Sequence, residues 1–175
     1  MEKIKKTESG FTIIESLVVI FVLSLALIPI VSTTLSSMDL SDSIKNTFIS
    51  AQLVQEGIEV TRGIRDKNSF TNASYTAGLL DCGTAICQWR VQWDSDSTMI
   101  IDVGNPNIPL KFDSATGRYN YAIGINTIFT RTISITDGNP VNPNKDLRII
   151  STVSWTSRKG VAKSISAESH LFDYR

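Results

Sequence analysis

The chain of 175 residues is long enough for one ordinary domain, and its 17 basic and 17 acidic residues balance each other. This balance argues against a general nucleic-acid binder, which normally has an excess of basic residues, so we expect no nucleic-acid partner. The apolar residues are unevenly distributed, because residues 11–31 contain a single charged side chain, that of Glu15. The remainder of the chain is rich in Ser, Thr and Asn.

The first predicted element is a membrane-spanning helix over residues 11–31. About 20 apolar residues form a helix about 30 Å long, which matches the hydrocarbon core of a bilayer. Three lysines precede the segment, at Lys3, Lys5 and Lys6. Because positive charges are retained in the cytoplasm, we expect a cytoplasmic N-terminus and an exported remainder.

Glu15 separates three interpretations of this segment. A secretory signal peptide would have a shorter, uncharged apolar region followed by a small-residue cleavage site. A plain anchor gives no reason for an acid that costs on the order of 3 kcal/mol at the bilayer centre and less near an end. Cleavage between Gly10 and Phe11 would give the acid a purpose. The new α-amino group of Phe11, or that of a neighbouring subunit, could then pair with Glu15.

The residues around this bond resemble a known leader. KKTESG at residues 5–10, followed by FTIIESL at residues 11–17, resembles the class III leader and methylation motif of type IV prepilins and type II secretion pseudopilins. The resemblance implies that a prepilin peptidase/methyltransferase cuts after Gly10 and N-methylates Phe11, and that Glu15 serves assembly. Its implied partners are that enzyme, other pilin subunits, the inner membrane and the pilus assembly platform. Glu8 and Ser9 replace the usual basic residue before the cut, although lysines lie nearby.

Pro29 lies late in the apolar run. A proline inside a helix removes a hydrogen bond and tends to bend the helix. Two interpretations stay open: Pro29 only bends the helix, or it marks where the helix loosens when subunits pack.

The second predicted element extends the helix from residue 32 to about residue 66. Its apolar stripe, predicted to cover a sheet, consists of Ile44, Phe48, Ala51, Val54 and Ile58. A continuous helix over residues 11–66 would be about 84 Å long. Residues 39–42 are interpreted as a solvated turn of this helix or a small break, and residues 66–69 as its end. Gly57 and Gly63 weaken the helix, and indicate either close packing on a sheet or fraying.

From about residue 70 the sequence predicts antiparallel strands and turns. One strand is predicted over residues 88–93. Three apolar strand faces follow, formed by Phe129, Arg131, Ile133 and Ile135, by Leu147, Ile149, Val153 and Trp155, and by Val161, Ile165, Ala167 and Leu171. A turn at residues 158–160 makes residues 147–174 a hairpin, and residues 137–145 are predicted to be an exposed loop.

These elements predict an α+β fold. The resemblance implies the pilin arrangement, in which a long N-terminal helix packs on an antiparallel β-sheet head. The expected organisation is a leader at residues 1–10, a transmembrane or filament-core helix at 11–31, its amphipathic half at 32–68 and the head at 69–175.

Cys82 and Cys87 form the chain's one cysteine pair. A close pair in an exported polar domain favours a disulfide, with two unpaired thiols as the alternative. So small a loop would gain about 2 kcal/mol from the bond. No metal site is predicted, because no histidine or second cysteine pair lies nearby.

No combination of residues indicates catalysis, and we expect neither an enzyme, nor a cofactor, nor a small-molecule substrate. His170 lacks a nucleophile partner and is interpreted as an exposed strand residue. Residues 94–98 are a polar turn more than a calcium loop, because the glycine and closing glutamate of an EF-hand are missing. Trp89, Trp93 and Trp155 are predicted to be core or partly buried, with one of them available for contact.

The sequence therefore favours a PilV-like minor pilin, made as a single-pass precursor in the cytoplasmic membrane. A type II secretion pseudopilin, a major or DNA-uptake pilin, and a membrane-anchored binding protein that never polymerises are the alternatives. The mature location would be an extracellular pilus or a periplasmic pseudopilus.

Overall fold

The computed structural model describes residues 12–71, 73–95, 100–101, 108–138 and 146–173. Gly10 and Phe11, residues 96–98 of the predicted polar turn and residues 139–145 of the predicted loop lie outside the described residues. The described chain divides into two compact units, one ending at Asp42 and the other beginning at Ser43.

Helix α1 extends from Ile13 to Phe70. Residues 39–42 remain helical, so they are a turn of the same helix, the first of the two alternatives, and not a break. The helix ends one residue beyond the end predicted at residues 66–69, and tertiary hydrogen bonds hold its last turns in place. The Arg65 guanidinium donates to the carbonyl of Phe172 at 2.9 Å, and the Asn68 amide donates to the carbonyl of Ala77 at 2.8 Å. The Thr71 hydroxyl then caps the carbonyl of Lys67 at 3.0 Å.

Seven strands are present within the described part of the chain. They are β1 Cys87–Arg90, β2 Ile100–Ile101, β3 Pro109–Asp113, β4 Arg118–Asn120, β5 Ile125–Asp137, β6 Asp146–Thr156 and β7 Ala162–Phe172. All pairings are antiparallel, and together with α1 they give the predicted α+β pilin fold.

The longest strand, β5, organises the sheet. Residues 130–137 of β5 pair with β6, which in turn pairs with β7. The same strand pairs with β3 over residues 125–130 and with β1 over residues 133–135. The strands β4 and β2 then extend β3 and β1.

Two of the predicted strand faces are confirmed. Phe129, Arg131, Ile133 and Ile135 are buried on β5, and Leu147, Ile149, Val153 and Trp155 are buried on β6. The hairpin is also confirmed, because β6 and β7 pair over their full lengths and residues 158–159 form the turn between them.

Two strand predictions need correction. β1 ends at Arg90 because Gln92 and Ser95 form a turn, in which the Gln92 amide donates to the Ser95 hydroxyl and the Ser95 amide donates to the Gln92 carbonyl, both at 2.9 Å. The third apolar face holds only in part. Val161 lies before β7 and is exposed, and Ala167 is exposed, whereas Leu171 is buried.

The helix covers the sheet through a different face from the predicted one. Of the predicted stripe only Val54 is buried, whereas Ile44, Phe48 and Ala51 are exposed. The residues that α1 buries are Ser50, Leu53, Val54, Gly57, Thr61, Ile64, Arg65 and Asn68. A hydrophobicity pattern misses this face because five of its eight residues are small or polar. One of them, Thr61, donates its hydroxyl to the carbonyl of Gly57 in the same helix at 2.8 Å.

Gly57 lies where the helix packs closely on the sheet. A Cβ atom at this position would come within 2.6 Å of both Ile133 Cδ1 and Ser151 Oγ, two side chains that are fully buried. The alternative of close packing therefore holds for Gly57. Gly63 differs, since a Cβ atom there would meet nothing within 4 Å.

Candidate functional site

The start of α1 is built as a helix cap. Thr12 precedes the helix, and its carbonyl accepts hydrogen bonds from the amides of Glu15 at 3.1 Å and Ser16 at 3.2 Å. The Thr12 hydroxyl also accepts from the Glu15 amide at 3.4 Å. Thr12 and Glu15 thus have the spacing of a capping box, in which a Thr and a Glu three residues later satisfy the free amides of the first turn.

At this position, the helix itself also interacts electrostatically with Glu15. An acid in the first turn of a helix lies at the positive end of the helix dipole, which attracts negative charge. Glu15 therefore has a local stabilising partner in addition to any amine. The spacing T-x-x-E in the sequence is the signal that identifies this role. Gly10 and Phe11, the predicted cleavage pair, lie outside the described residues.

The first unit presents a largely apolar surface. All the large apolar side chains from Ile13 to Val31 are exposed, and Val19, the least exposed of them, still has 44% of its surface accessible. A contiguous apolar surface of this kind marks a site of contact with lipid or protein.

The polar side chains of this segment bond internally. The Ser24 hydroxyl donates to the carbonyl of Ile20 at 2.8 Å, and the Thr34 hydroxyl donates to the carbonyl of Ile30 at 2.8 Å. Such bonds satisfy the hydroxyls where no water is available. The helix also continues through Pro29, so Pro29 does not end it.

The family model described as the prokaryotic N-terminal methylation motif matches residues 5–31. No curated protein and no solved structure matches the chain. The motif supports a type IV pilin-like leader and a pilin-like or pseudopilin substrate of prepilin peptidase that assembles with other pilins. The matched residues cover positions 5–10 of the expected leader, the cap at Thr12, Glu15 and the exposed apolar side chains from Ile13 to Val31.

By length and composition, α1 is also able to cross a membrane, with a mean hydropathy of 2.7 in its most apolar window and none of that window buried. The apolar helix and the leader motif together support membrane anchoring of a pilin-like precursor.

Cys82 and Cys87 form a disulfide with their Cα atoms 5.6 Å apart. Cys87 is fully buried in the core beside Ile135, its pairing partner on β5, while the loop between the cysteines is exposed. The bond therefore ties this surface loop to the sheet.

A buried arginine links the helix to the sheet. The alternating pattern predicts Arg131 on an apolar strand face but does not explain its charge there. Arg131 on β5 has no exposed surface. Its guanidinium donates to the carbonyl of Leu53 at 3.0 Å, to the Glu56 carboxylate at 3.1 Å, and to the carbonyl of Val91. An arginine in the middle of an apolar strand face signals such a buried ion pair.

His170 is exposed, as expected, but it has partners that sequence reasoning missed. Its Nδ1 lies 2.9 Å from Asp146, and its Nε2 lies 3.2 Å from Glu168. The hydrogen bond to Asp146 is the main cause that raises the pKa of His170. Glu168 also accepts two hydrogen bonds from Arg148, at 2.7 and 2.9 Å, and these lower its pKa to about 2. The register of β6 on β7 brings these residues together, and a single sequence does not reveal that register.

Trp89 and Trp155 are buried, whereas Trp93 is 47% exposed. The Arg118 guanidinium lies 4.2 Å from the centroid of the Trp93 ring, in a cation–π contact. Within the described ranges, no group of three or more His, Cys, Asp or Glu side chains is placed to hold a metal ion.

Proposed function

We propose that the chain is a structural subunit of a type IV pilus-like filament and that it assembles through the first half of α1. The observation that carries the proposal is that the methylation motif at residues 5–31 coincides with a capped helix whose apolar side chains are exposed. A motif of this kind is typical of structural subunits that a prepilin peptidase processes, and not of enzymes.

Assembly replaces one apolar environment with another. In the precursor, lipid surrounds the side chains from Ile13 to Val31; in the filament, the helices of neighbouring subunits do. Cleavage after Gly10 creates the amine of Phe11, which the methyltransferase modifies and Glu15 binds. At about 4 Å and an effective dielectric near 20, such a pair attracts by about 4 kcal/mol before desolvation is counted. The position of Glu15 in the first turn supports this pairing, because Phe11 precedes that turn closely in the sequence.

The filament is a type IV pilus and the subunit a minor, PilV-like one in this proposal, with a type II secretion pseudopilin as the other candidate. The length of the chain and its strand-rich second part favour the minor pilin. We propose the division into a leader at residues 1–10, a filament-core helix at 11–31, an amphipathic half at 32–68 and a head at 69–175. The head is exported, and the mature subunit resides in the pilus.

Mass spectrometry of the protein, recovered from cells that contain a prepilin peptidase, tests the processing step. We expect loss of residues 1–10 and one added methyl group on Phe11. A chain that still begins at Met1 would refute the proposal.

Substitutions at Glu15 test the assembly step. Glu15→Ala removes both the charge and the capping side chain, whereas Glu15→Gln keeps a side chain suited to the capping box. If the charge pair drives assembly, both variants are cleaved normally and both enter filaments poorly. Glu59→Gln, at an exposed acid further along α1, is the matched control and should assemble normally. Normal incorporation of Glu15→Gln would contradict the charge pair and leave capping as the role of Glu15.

A further inference from the structure

Gly63 has no packing reason in the structure. A glycine in the middle of a helix costs about 1 kcal/mol relative to alanine. At Gly57 contact with Ile133 and Ser151 explains that cost, but at Gly63 an added Cβ atom would project into open space. The open space is part of a surface groove of about 450 Å³ along the helix.

The groove has an aromatic wall and a polar rim. Trp93 lines one side, Gly63 leaves the helix surface bare, and the rim carries Glu59, Lys67 and Ser95. Glu59, Gly63 and Lys67 are four residues apart, so they follow one row of the helix. Glu59 also forms an ion pair with Arg62 at 3.5 Å.

Trp93 also lines a second cavity, of about 300 Å³, together with Gln52, Glu56, Arg118 and Tyr119. Arg118, which lies over the indole ring, lines this second cavity and not the first. The two cavities therefore share the Trp93 side chain, and together they are called the Trp93 depression. Two cavities that share one aromatic side chain suit a chain of linked units more than a single small molecule.

We propose that this depression binds a neutral oligosaccharide, with one sugar ring stacked on Trp93 above Gly63. The C–H groups on one face of a sugar ring carry partial positive charge and suit the negative face of an indole. Sugar hydroxyls both donate and accept hydrogen bonds, so they satisfy a carboxylate, an ammonium and a hydroxyl at the same rim. A rim with one acid and one base does not select a charged ligand. The binding role is independent of filament assembly.

The test uses the full-length chain in a detergent without sugar groups, lauryldimethylamine oxide, titrated separately with cellohexaose, maltohexaose and chitohexaose. Fluorescence is the readout, because Trp89 and Trp155 are buried and Trp93 is exposed. We expect saturable binding of at least one of the three up to about 10 mM, the range of weak single-site affinities.

Gly63→Leu is the decisive variant, because it fills the groove from a position where the added Cβ atom meets nothing within 4 Å. We expect it to weaken binding by about tenfold or more, as should Trp93→Ala. Gln55→Leu is the matched control: it places the same side chain at an exposed position of the same helix that lines neither cavity, and it should bind as the parent does. Circular dichroism checks that all variants are folded.

Three results would overturn the proposal. The first is no saturable binding of any of the three oligosaccharides. The second is equal binding by Gly63→Leu and Gln55→Leu. The third is binding of an anionic heparin hexasaccharide alone, weakened by Lys67→Gln and by added salt, which would assign an anion site instead.

Discussion

The contact between helix and sheet at Gly57 gives a quantitative prediction. In Gly57→Ala the new methyl group lies 2.6 Å from Ile133 Cδ1 and from Ser151 Oγ, whereas carbon atoms in contact are normally about 3.5–4.0 Å apart. Both neighbours are fully buried, so their side chains must shift within the core to admit the methyl group. Overpacking of this kind costs about 1–3 kcal/mol.

The helix itself gains about 1 kcal/mol when alanine replaces glycine. Gly63→Ala receives the same gain without the overpacking, since nothing lies within 4 Å of its new methyl group. We therefore expect Gly63→Ala to be more stable than the parent by about 1 kcal/mol. Gly57→Ala should be less stable than Gly63→Ala by the cost of overpacking, about 1–3 kcal/mol.

Guanidinium denaturation of the full-length chain in micelles measures both variants, with the fluorescence of Trp89 and Trp155, both buried, as the signal of head unfolding. The difference between the two variants cancels the intrinsic helix term and isolates the contact with the sheet. Equal free energies of unfolding for Gly57→Ala and Gly63→Ala would refute the close approach of α1 to β5 and β6.

Two further predictions concern charged groups. Glu56→Ala leaves the fully buried Arg131 without its carboxylate partner. We expect this to lower the free energy of unfolding by about 3 kcal/mol, the lower end for a broken buried pair, because Glu56 is partly solvated. Adding Arg131→Met should recover part of this loss, and a further loss in the double variant would contradict a charge-based cost. At His170, the raised pKa means that the folded state holds its proton more tightly than the unfolded state. That contribution to stability is fully present below the unfolded pKa of about 6.5 and is lost as the pH rises through the folded value. Because the chain has a single histidine, its proton NMR signal gives the folded pKa of His170 directly. His170→Gln should make the denaturation midpoint depend less on pH. An unshifted pKa of His170 in the parent would contradict the contact with Asp146.

The sequence predicted the parts of the fold that depend on regular apolar patterns. The apolar run at residues 11–31 and the alternation on β5 and β6 are of this kind, and the second is confirmed by burial. The prediction of the helix face that covers the sheet is wrong, because Ser50, Gly57 and Thr61 fit there by their small size and not by their hydrophobicity. The bonds of Asn68 and Arg65 that prolong α1 involve partners elsewhere in the chain.

The candidate site, too, is predictable from the sequence only in part. Glu15 was identified from its charge within an apolar run, but its capping partner Thr12 was missed although the T-x-x-E spacing was visible. The cluster around His170 depends on strand register, and the groove at Gly63 depends on what surrounds a residue that has no side chain. Neither can be read from local sequence.

The sheet has a seam along its central strand. Since β1 and β3 pair with successive parts of β5, neither pairs with Arg131 and Thr132. Two side-chain bonds close this gap: Tyr121 donates its hydroxyl to the carbonyl of Arg131 at 3.2 Å, and Arg131 donates to the carbonyl of Val91. On this side of β5, the part of the sheet that contains β1 and the part that contains β3 are therefore joined by side-chain bonds and not by a continuous ladder of backbone hydrogen bonds. We therefore expect the head to yield first along this seam when it is pulled, while the β5–β6–β7 ribbon, with its continuous pairing, stays intact.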